Sequence, residues 1–217
     1  MHSLTEENYI KAVYYLSLKT DTKITPTSIA EAVGVNAASV IDMIKKLSEK
    51  KFISYNKLDG VSLNKSGSKL ALEVVRNHRL WEVFLVQKLG YSWDVVHEIA
   101  EQLEHIKHPE LADRLDAFLD HPEYDPHGDP IPKSNGEIPK TVNTLLSEIK
   151  VGKSCRVVAI KDTSTLFLQY LIKLSINIGT KISVLEKIPY DNSLQIQIGN
   201  EQITNVSAKF SESILVA

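Results

Sequence analysis

The chain has 217 residues, 43% hydrophobic and 24% charged, which is enough to bury one core or several small ones. No run of about 18 apolar residues occurs, so no membrane-spanning helix and no membrane partner is expected, and the opening MHSLTEENYI lacks the basic and apolar regions of a secretion signal. A net charge of −2 argues against indiscriminate nucleic-acid binding, and the single cysteine, Cys155, excludes an internal disulfide and fits a cytoplasmic protein.

Tyr9, Ile10, Val13 and Leu16 fall at helical spacing and predict a first helix, broken at Asp21–Lys23. Thr25-Pro26 then opens a short helix that buries Ile29, Ala30 and Val33 and stops at Gly34. Asn36 caps a second helix with Val40, Ile44 and Leu47 on its apolar face. Two short helices about a Gly-containing turn form a helix-turn-helix. FISY, NKLDG and VSL follow as strand, turn and strand, a β-hairpin wing. A long helix runs from Ser66-Gly67 to about Lys88, a second over 93–107 with Ser92 as cap, and a third from Pro109 to about Asp120. The stretch 121–139 holds five prolines and two glycines and reads as loop. From about 150 the segments CRVVAI, KISVLE and LQIQI alternate as strands, interrupted by one helix near 165–174, and fit a small barrel or sandwich. The expected fold is α+β, with boundaries at 1–73, 74–140 and 141–217.

In a helix-turn-helix the second helix reads the major groove with its N-terminal residues. Those residues are Asn36, Ala37, Ala38 and Ser39, with Asp42 one turn on. Asn reads adenine, and Ala or Ser packs on a thymine methyl. Lys45, Lys46, Lys50, Lys51, Thr27 and the wing residue Lys57 are placed to reach phosphates.

Charge is unevenly distributed. Residues 1–73 carry ten Lys/Arg against eight Asp/Glu, residues 74–140 seven against thirteen, and residues 141–217 eight against six. Six of the seven histidines lie in the acidic middle, as a transition-metal site requires. His78 and Glu82 stand four apart on the long helix. His97, Glu101, Glu104 and His105 share one face of the next. Donors of oxygen and nitrogen without thiolate suit manganese(II) or iron(II).

The stretches NYIKAVYYL, TSIAEAVGVNAASVIDMIKKL, LNKSG, NHRLWEVFL, VHEIAEQLEH and DPHGDPIP make the chain resemble the diphtheria-toxin-repressor family of iron- and manganese-dependent repressors. The resemblance implies a helical metal-binding and dimerisation region, a homodimer, a palindromic operator in double-stranded DNA and a Src-homology-3-like C-terminal barrel. It implies a primary-type site of Glu101, Glu104, His105 and Asn8, and a neighbouring site of His78, Glu82 and His97. It also implies ligands from Asp125, His127 and, in the barrel, Asp162. Lys11 stands where the manganese branch often carries glutamate, and Asp125 stands where relatives carry a thiolate. A non-enzymatic, metal-switched regulator is therefore expected. The alternatives are a winged-helix regulator answering to a small molecule and a carboxylate-bridged di-iron enzyme. The enzyme would need paired Glu-x-x-His motifs on a four-helix bundle, which the chain lacks.

Overall fold

The computed structural model describes residues 2–19, 23–200 and 202–217, and the expected break at Asp21 lies outside them. It separates into two compact units. The first comprises residues 1–78, 101–114 and 132–137; the second comprises 79–100, 115–131 and 138–217.

The first unit begins with α1 (Leu4–Lys19), α2 (Pro26–Val33) and α3 (Ala37–Glu49). The start of α2 is fixed by a reciprocal cap: Ser28 N–H donates to Thr25 Oγ1 at 3.1 Å and Thr25 N–H to Ser28 Oγ at 3.0 Å. It ends at Gly34, whose φ of 74° is left-handed and whose N–H donates to the Ala30 carbonyl. Asn36 caps α3 by accepting the Ser39 N–H at 2.9 Å. The two helices bend 107° about that turn, within the range of a helix-turn-helix. Ile29, Val40, Ile44 and Leu47 are buried with Tyr9, Ile10 and Val13 of α1 in one core. Truncating a fully buried Ile44 or Leu47 to Ala costs about 2–5 kcal/mol.

The wing is β1 (Ile53–Asn56) paired antiparallel with β2 (Gly60–Leu63), in register Ile53↔Leu63 to Asn56↔Gly60. Gly60 is required there. Its φ is +83°, and a Cβ would stand 2.4 Å from the Ile24 carbonyl oxygen, which accepts the Val61 N–H. Helix α4 (Lys65–Gln87) contributes its first turns to this unit and its last to the other.

Two helices are shorter than their periodicity suggested. Helix α5 is Val96–Leu103 rather than 93–107, and α6 is Leu111–Phe118 rather than starting at Pro109. Ser92 does not cap α5. Its hydroxyl donates to Asp94, and its carbonyl accepts from Val95, closing a separate turn before the helix. Pro109 likewise lies in a turn, closed by Leu111 N–H on the His108 carbonyl.

The second unit is dominated by one antiparallel sheet in the order β6-β5-β4-β3-β7. Its strands are β3 (Ser154–Ile160), β4 (Lys181–Lys187), β5 (Leu194–Ile198), β6 (Gln202–Val206) and β7 (Ile214–Val216). Register irregularities at Val157/Ala159 and Val184/Glu186 bend the sheet, as β-bulges do in small barrels. Helix α7 (Thr165–Lys173) appears where expected, whereas β6, β7 and α8 (Ala208–Glu212) are additions to the sequence reading. Alternating residues Val157, Ile182, Val184, Leu194 and Ile196 form the core with Leu168, Leu171 and Phe210. Among the described residues no single helix is long and apolar enough to cross a membrane.

A buried carboxylate fastens α3 to α1. Glu6 is fully buried, with Oε1 2.8 Å from Lys50 Nζ and 2.9 Å from Lys46 Nζ, and its Oε2 accepts the Ser3 N–H. Burial pushes its pKa up, but the two lysines and Ser3 outweigh burial and lower it from 4.5 to about 2. A depressed carboxylate contributes stability above its unfolded pKa and loses it as pH falls through the folded one. The loss should fall between about pH 4.5 and 2 and amount to at most about 3 kcal/mol, less at half-exposed lysines. Glu6→Gln should flatten that acid limb of unfolding free energy against pH; an unchanged limb would assign the acid sensitivity elsewhere.

Candidate functional site

In the first unit, α1, α4 and the residues at and just after the end of α5 bring a cluster of ionisable side chains together. Lys11 Nζ lies 2.5 Å from Glu101 Oε1 and 2.6 and 2.9 Å from the two oxygens of Glu104. His78 Nδ1 lies 2.5 Å from Glu104 Oε2 and 3.8 Å from Glu101 Oε1. His105 presents Nδ1 to Glu7 Oε2, and its Nε2 is 3.4 Å from Glu104 Oε1 without hydrogen-bond geometry. Glu7 also meets Lys107 Nζ at 3.0 Å. Asn8 Oδ1 is buried without a hydrogen-bond partner. The resemblance places a metal among Asn8, Glu101, Glu104 and His105. Two unpartnered buried atoms would suit a cation, but both carboxylates already bond an ammonium. The set does not fit a divalent ion while Lys11 stands there.

In the second unit, Glu82 of α4 meets Asp125 and His127 of the 121–139 loop. One donor atom from each lies within 4.8 Å of the others, and all three residues are buried. His97 Nδ1, on an exposed ring, is 3.4 Å from Glu82 Oε1. Asp125 Oδ1 accepts the backbone N–H of His127 at 2.8 Å and of Asp129 at 3.0 Å, so the loop wraps its own carboxylate. His127 Nε2 is 2.9 Å from the Trp93 carbonyl oxygen and must donate to it. That bond fixes the tautomer and leaves Nδ1 facing Glu82 Oε2 at 3.8 Å and Asp125 Oδ1 at 3.9 Å. The ring stacks on Trp93 at 5.9 Å. Arg79 is the counter-charge, 3.6 Å from Asp125 and 3.3 Å from Asp129, with its Nη1 on the Pro130 carbonyl.

The carboxylates and the imidazole of this group perturb one another. Burial first, then the charges of Glu82 and Asp129, push the Asp125 carboxyl up to about 7. Burial lowers the His127 imidazole, but Glu82 and Asp125 outweigh it and raise it to about 9. Two oxygen donors and one imidazole, buried and converging, fit a hard or borderline divalent ion. Asp162 stands apart: its Oδ1 accepts the Ser164 N–H at 3.0 Å, and it is not among the three converging donors.

The resemblance implies one set of His78, Glu82 and His97. The structure gives His78 to Glu104, and Glu82 to His127 and His97. It also brings in Lys11, Glu7, Arg79 and the Trp93 carbonyl, which spacing did not single out as site groups. A signal existed for Lys11, four residues after Glu7 on α1 and so on the same helical face.

The residues expected to face DNA are all exposed: Thr27, Asn36, Ala37, Ala38, Ser39, Asp42, Lys45, Lys46 and Lys57. They are not equivalent. Asn36 Oδ1 is occupied by the Ser39 N–H and hydroxyl. Lys46 is held by Glu6 at 2.9 Å, and Lys45 has only exposed Asp42 at 3.5 Å.

Comparison with known proteins bears on both regions. Residues 1–61 match the N-terminal DNA binding domain of iron dependent repressors, and residues 64–133 match their metal binding and dimerisation domain. Residues 144–217 match the FeoA domain. The structure of a manganese-dependent transcriptional repressor in complex with manganese is 32% identical with a TM-score of 0.86, over 97% of this chain and 98% of that one. The manganese regulator SloR is 31% identical with a TM-score of 0.77, over 98% and 97%. The iron-dependent repressor IdeR of Mycobacterium tuberculosis is 30% identical over 59% of this chain and 55% of its own length. A probable metal transport system membrane protein of Chlamydia trachomatis is 44% identical over 33% of this chain but only 16% of its own length.

Gly128 holds the loop in place. Its φ is +88°, and a Cβ would stand 2.1 Å from the Val158 carbonyl oxygen, while the neighbouring His127 carbonyl accepts the Ile160 N–H at 2.8 Å. Gly128→Ala should destabilise by about 2 kcal/mol or more through strain and the forced shift from β3. Denaturant unfolding checks this; a change within about 0.5 kcal/mol would show the loop free to move away.

Proposed function

The chain belongs to the diphtheria-toxin-repressor family of iron- and manganese-dependent transcriptional repressors, and we propose that Glu82, Asp125 and His127 hold its activating ion. In this reading the protein works in the cytoplasm as a homodimer on palindromic operator DNA and has no enzymatic activity. The observation that carries the reading is the buried three-donor group whose imidazole tautomer is set by a backbone carbonyl. Manganese(II) or iron(II), when bound, supplies positive charge to the Glu82 and Asp125 carboxylates.

The rest is done by this chain's own groups. Trp93 orients His127, the Asp129 and His127 amides orient Asp125, and Glu82 comes from a rigid helix. An ion changes the preference between two arrangements only by binding one more tightly. At the DNA, Ala37, Ala38 and Ser39 form the exposed end of α3, where small side chains allow close approach to base edges. Asn36 acts first as the cap, and Lys45, Thr27 and Lys57 are the phosphate contacts. Lys46 belongs to the Glu6 clamp before it belongs to the DNA.

Two measurements test this. Protein stripped with chelator should bind operator at least tenfold more weakly than manganese-loaded protein, a gap of about 1.4 kcal/mol. Asp125→Asn should erase most of that gap, and equal binding with and without chelator would sink the reading. Lys45→Ala should weaken binding alike on all sequences and reduce the salt slope by about one unit. An effect of Lys45→Ala confined to sequence preference would mean that α3 lies differently in the groove.

A further inference from the structure

Glu104 is fully buried, Glu101 lies beside it with its side chain 35% exposed, and a buried carboxylate with a second one against it requires a cation. The chain supplies one. Lys11 reaches in from α1 with its side chain 9% exposed, and its ammonium contacts three oxygens of the two glutamates at 2.5–2.9 Å. We propose that Lys11 is the resident cation of the Glu101–Glu104 pair, that it excludes a divalent ion from that pair, and that it ties α1 to α5 whether or not metal is present.

The geometry supports exclusion as well as neutralisation. Divalent cations bind carboxylate oxygens at about 2.0–2.6 Å. An ion at that distance from the same oxygens would overlap or nearly touch the ammonium and meet its like charge beside the buried Glu104. The nearby charges do not compensate. His78 already addresses Glu104, and Glu7 is engaged by His105 and Lys107. What remains is Asn8 Oδ1, a neutral amide oxygen, and His105 Nε2, a ring nitrogen, both buried and unpartnered. These two atoms are spare donors for an ion that the lysine keeps out. Removing the ammonium while keeping the carboxylates should therefore open a site already provided with four donors.

This inference rests on the proposed function only for the identity of the ion. Its test counts metal and does not depend on DNA. Manganese(II) per chain is measured by equilibrium dialysis with elemental analysis on wild type, Lys11→Met, Lys11→Gln and Glu104→Gln. Both lysine variants should hold one manganese more than wild type, and Glu104→Gln should hold the same number as wild type. In chelator the lysine variants should melt below wild type, and added manganese should raise them by more than it raises wild type. A manganese lost from Glu104→Gln would overturn the proposal, because wild type would then already bind metal at this pair. An unchanged count in folded Lys11→Met and Lys11→Gln would overturn it too. Because Glu104→Gln is read against wild type, the proposal stays testable if neither lysine variant folds. Failure of manganese to alter operator binding would refute the proposed function and leave these counts interpretable.

Discussion

Five carboxylates, Glu6, Glu7, Glu82, Glu104 and Asp125, are buried among the described residues, and each must find positive charge or donors inside the protein. How each does so organises the molecule. Glu6 takes Lys46 and Lys50 and thereby fixes the helix-turn-helix to α1. Glu7 takes His105 and Lys107. Glu104 takes Lys11 and His78. Removing one partner of a fully buried pair costs about 3–5 kcal/mol because the other is left charged and dry, and less where the lysine is half exposed, as at Glu6 and Glu7. These pairs are therefore constraints on the fold before they are anything else. Glu82 and Asp125 differ: they converge with His127 into one buried group of three donors, beside an arginine that Asp125 shares with Asp129. That convergence separates a binding group from a structural ion pair.

Most of the fold was legible because it rests on local chemistry. Thr25, Pro26, Gly34 and Asn36 mark helix ends by mechanisms that act within four residues, and the structure uses each as read. The wing followed from Asp59-Gly60, although the decisive constraint at Gly60 is the approach of Ile24, which no local pattern contains. Reading failed where helical periodicity continued past the true end. Trp93 was counted into α5, but it packs in the sheet core and gives its carbonyl to His127. Strands β6 and β7 were missed because they are short and lie at the sheet edges, where pairing rather than composition defines a strand.

The site was legible as a set of residues and not as a partition. Spacing of four along a helix shows that His78 and Glu82 share a face, but a helix face is long enough to serve two groups. Which carboxylate meets which imidazole depends on α1 and on the loop around Gly128, both far away in sequence. Lys11 shows the same gap from the other side. In the sequence it is one lysine among ten in the first 73 residues, set apart by the resemblance and its spacing from Glu7, and its burial against Glu101 and Glu104 shows what it neutralises.

A lysine and a metal ion both neutralise carboxylates, but they enter the thermodynamics differently. An ion that binds only one state stabilises it by RT ln(1 + [L]/Kd), about 2.7 kcal/mol at a hundred times Kd and nothing at vanishing concentration. An ammonium carried on α1 has no such dependence, since its effective concentration is set by the chain. A group neutralised by Lys11 therefore cannot report how much metal is present, however closely it resembles a ligand set. It can keep α1 docked at every metal concentration, which lowers the cost of the DNA-competent arrangement without making it conditional. Conditionality must then come from a group whose cation arrives from solution, and the converging donors Glu82, Asp125 and His127 have that character.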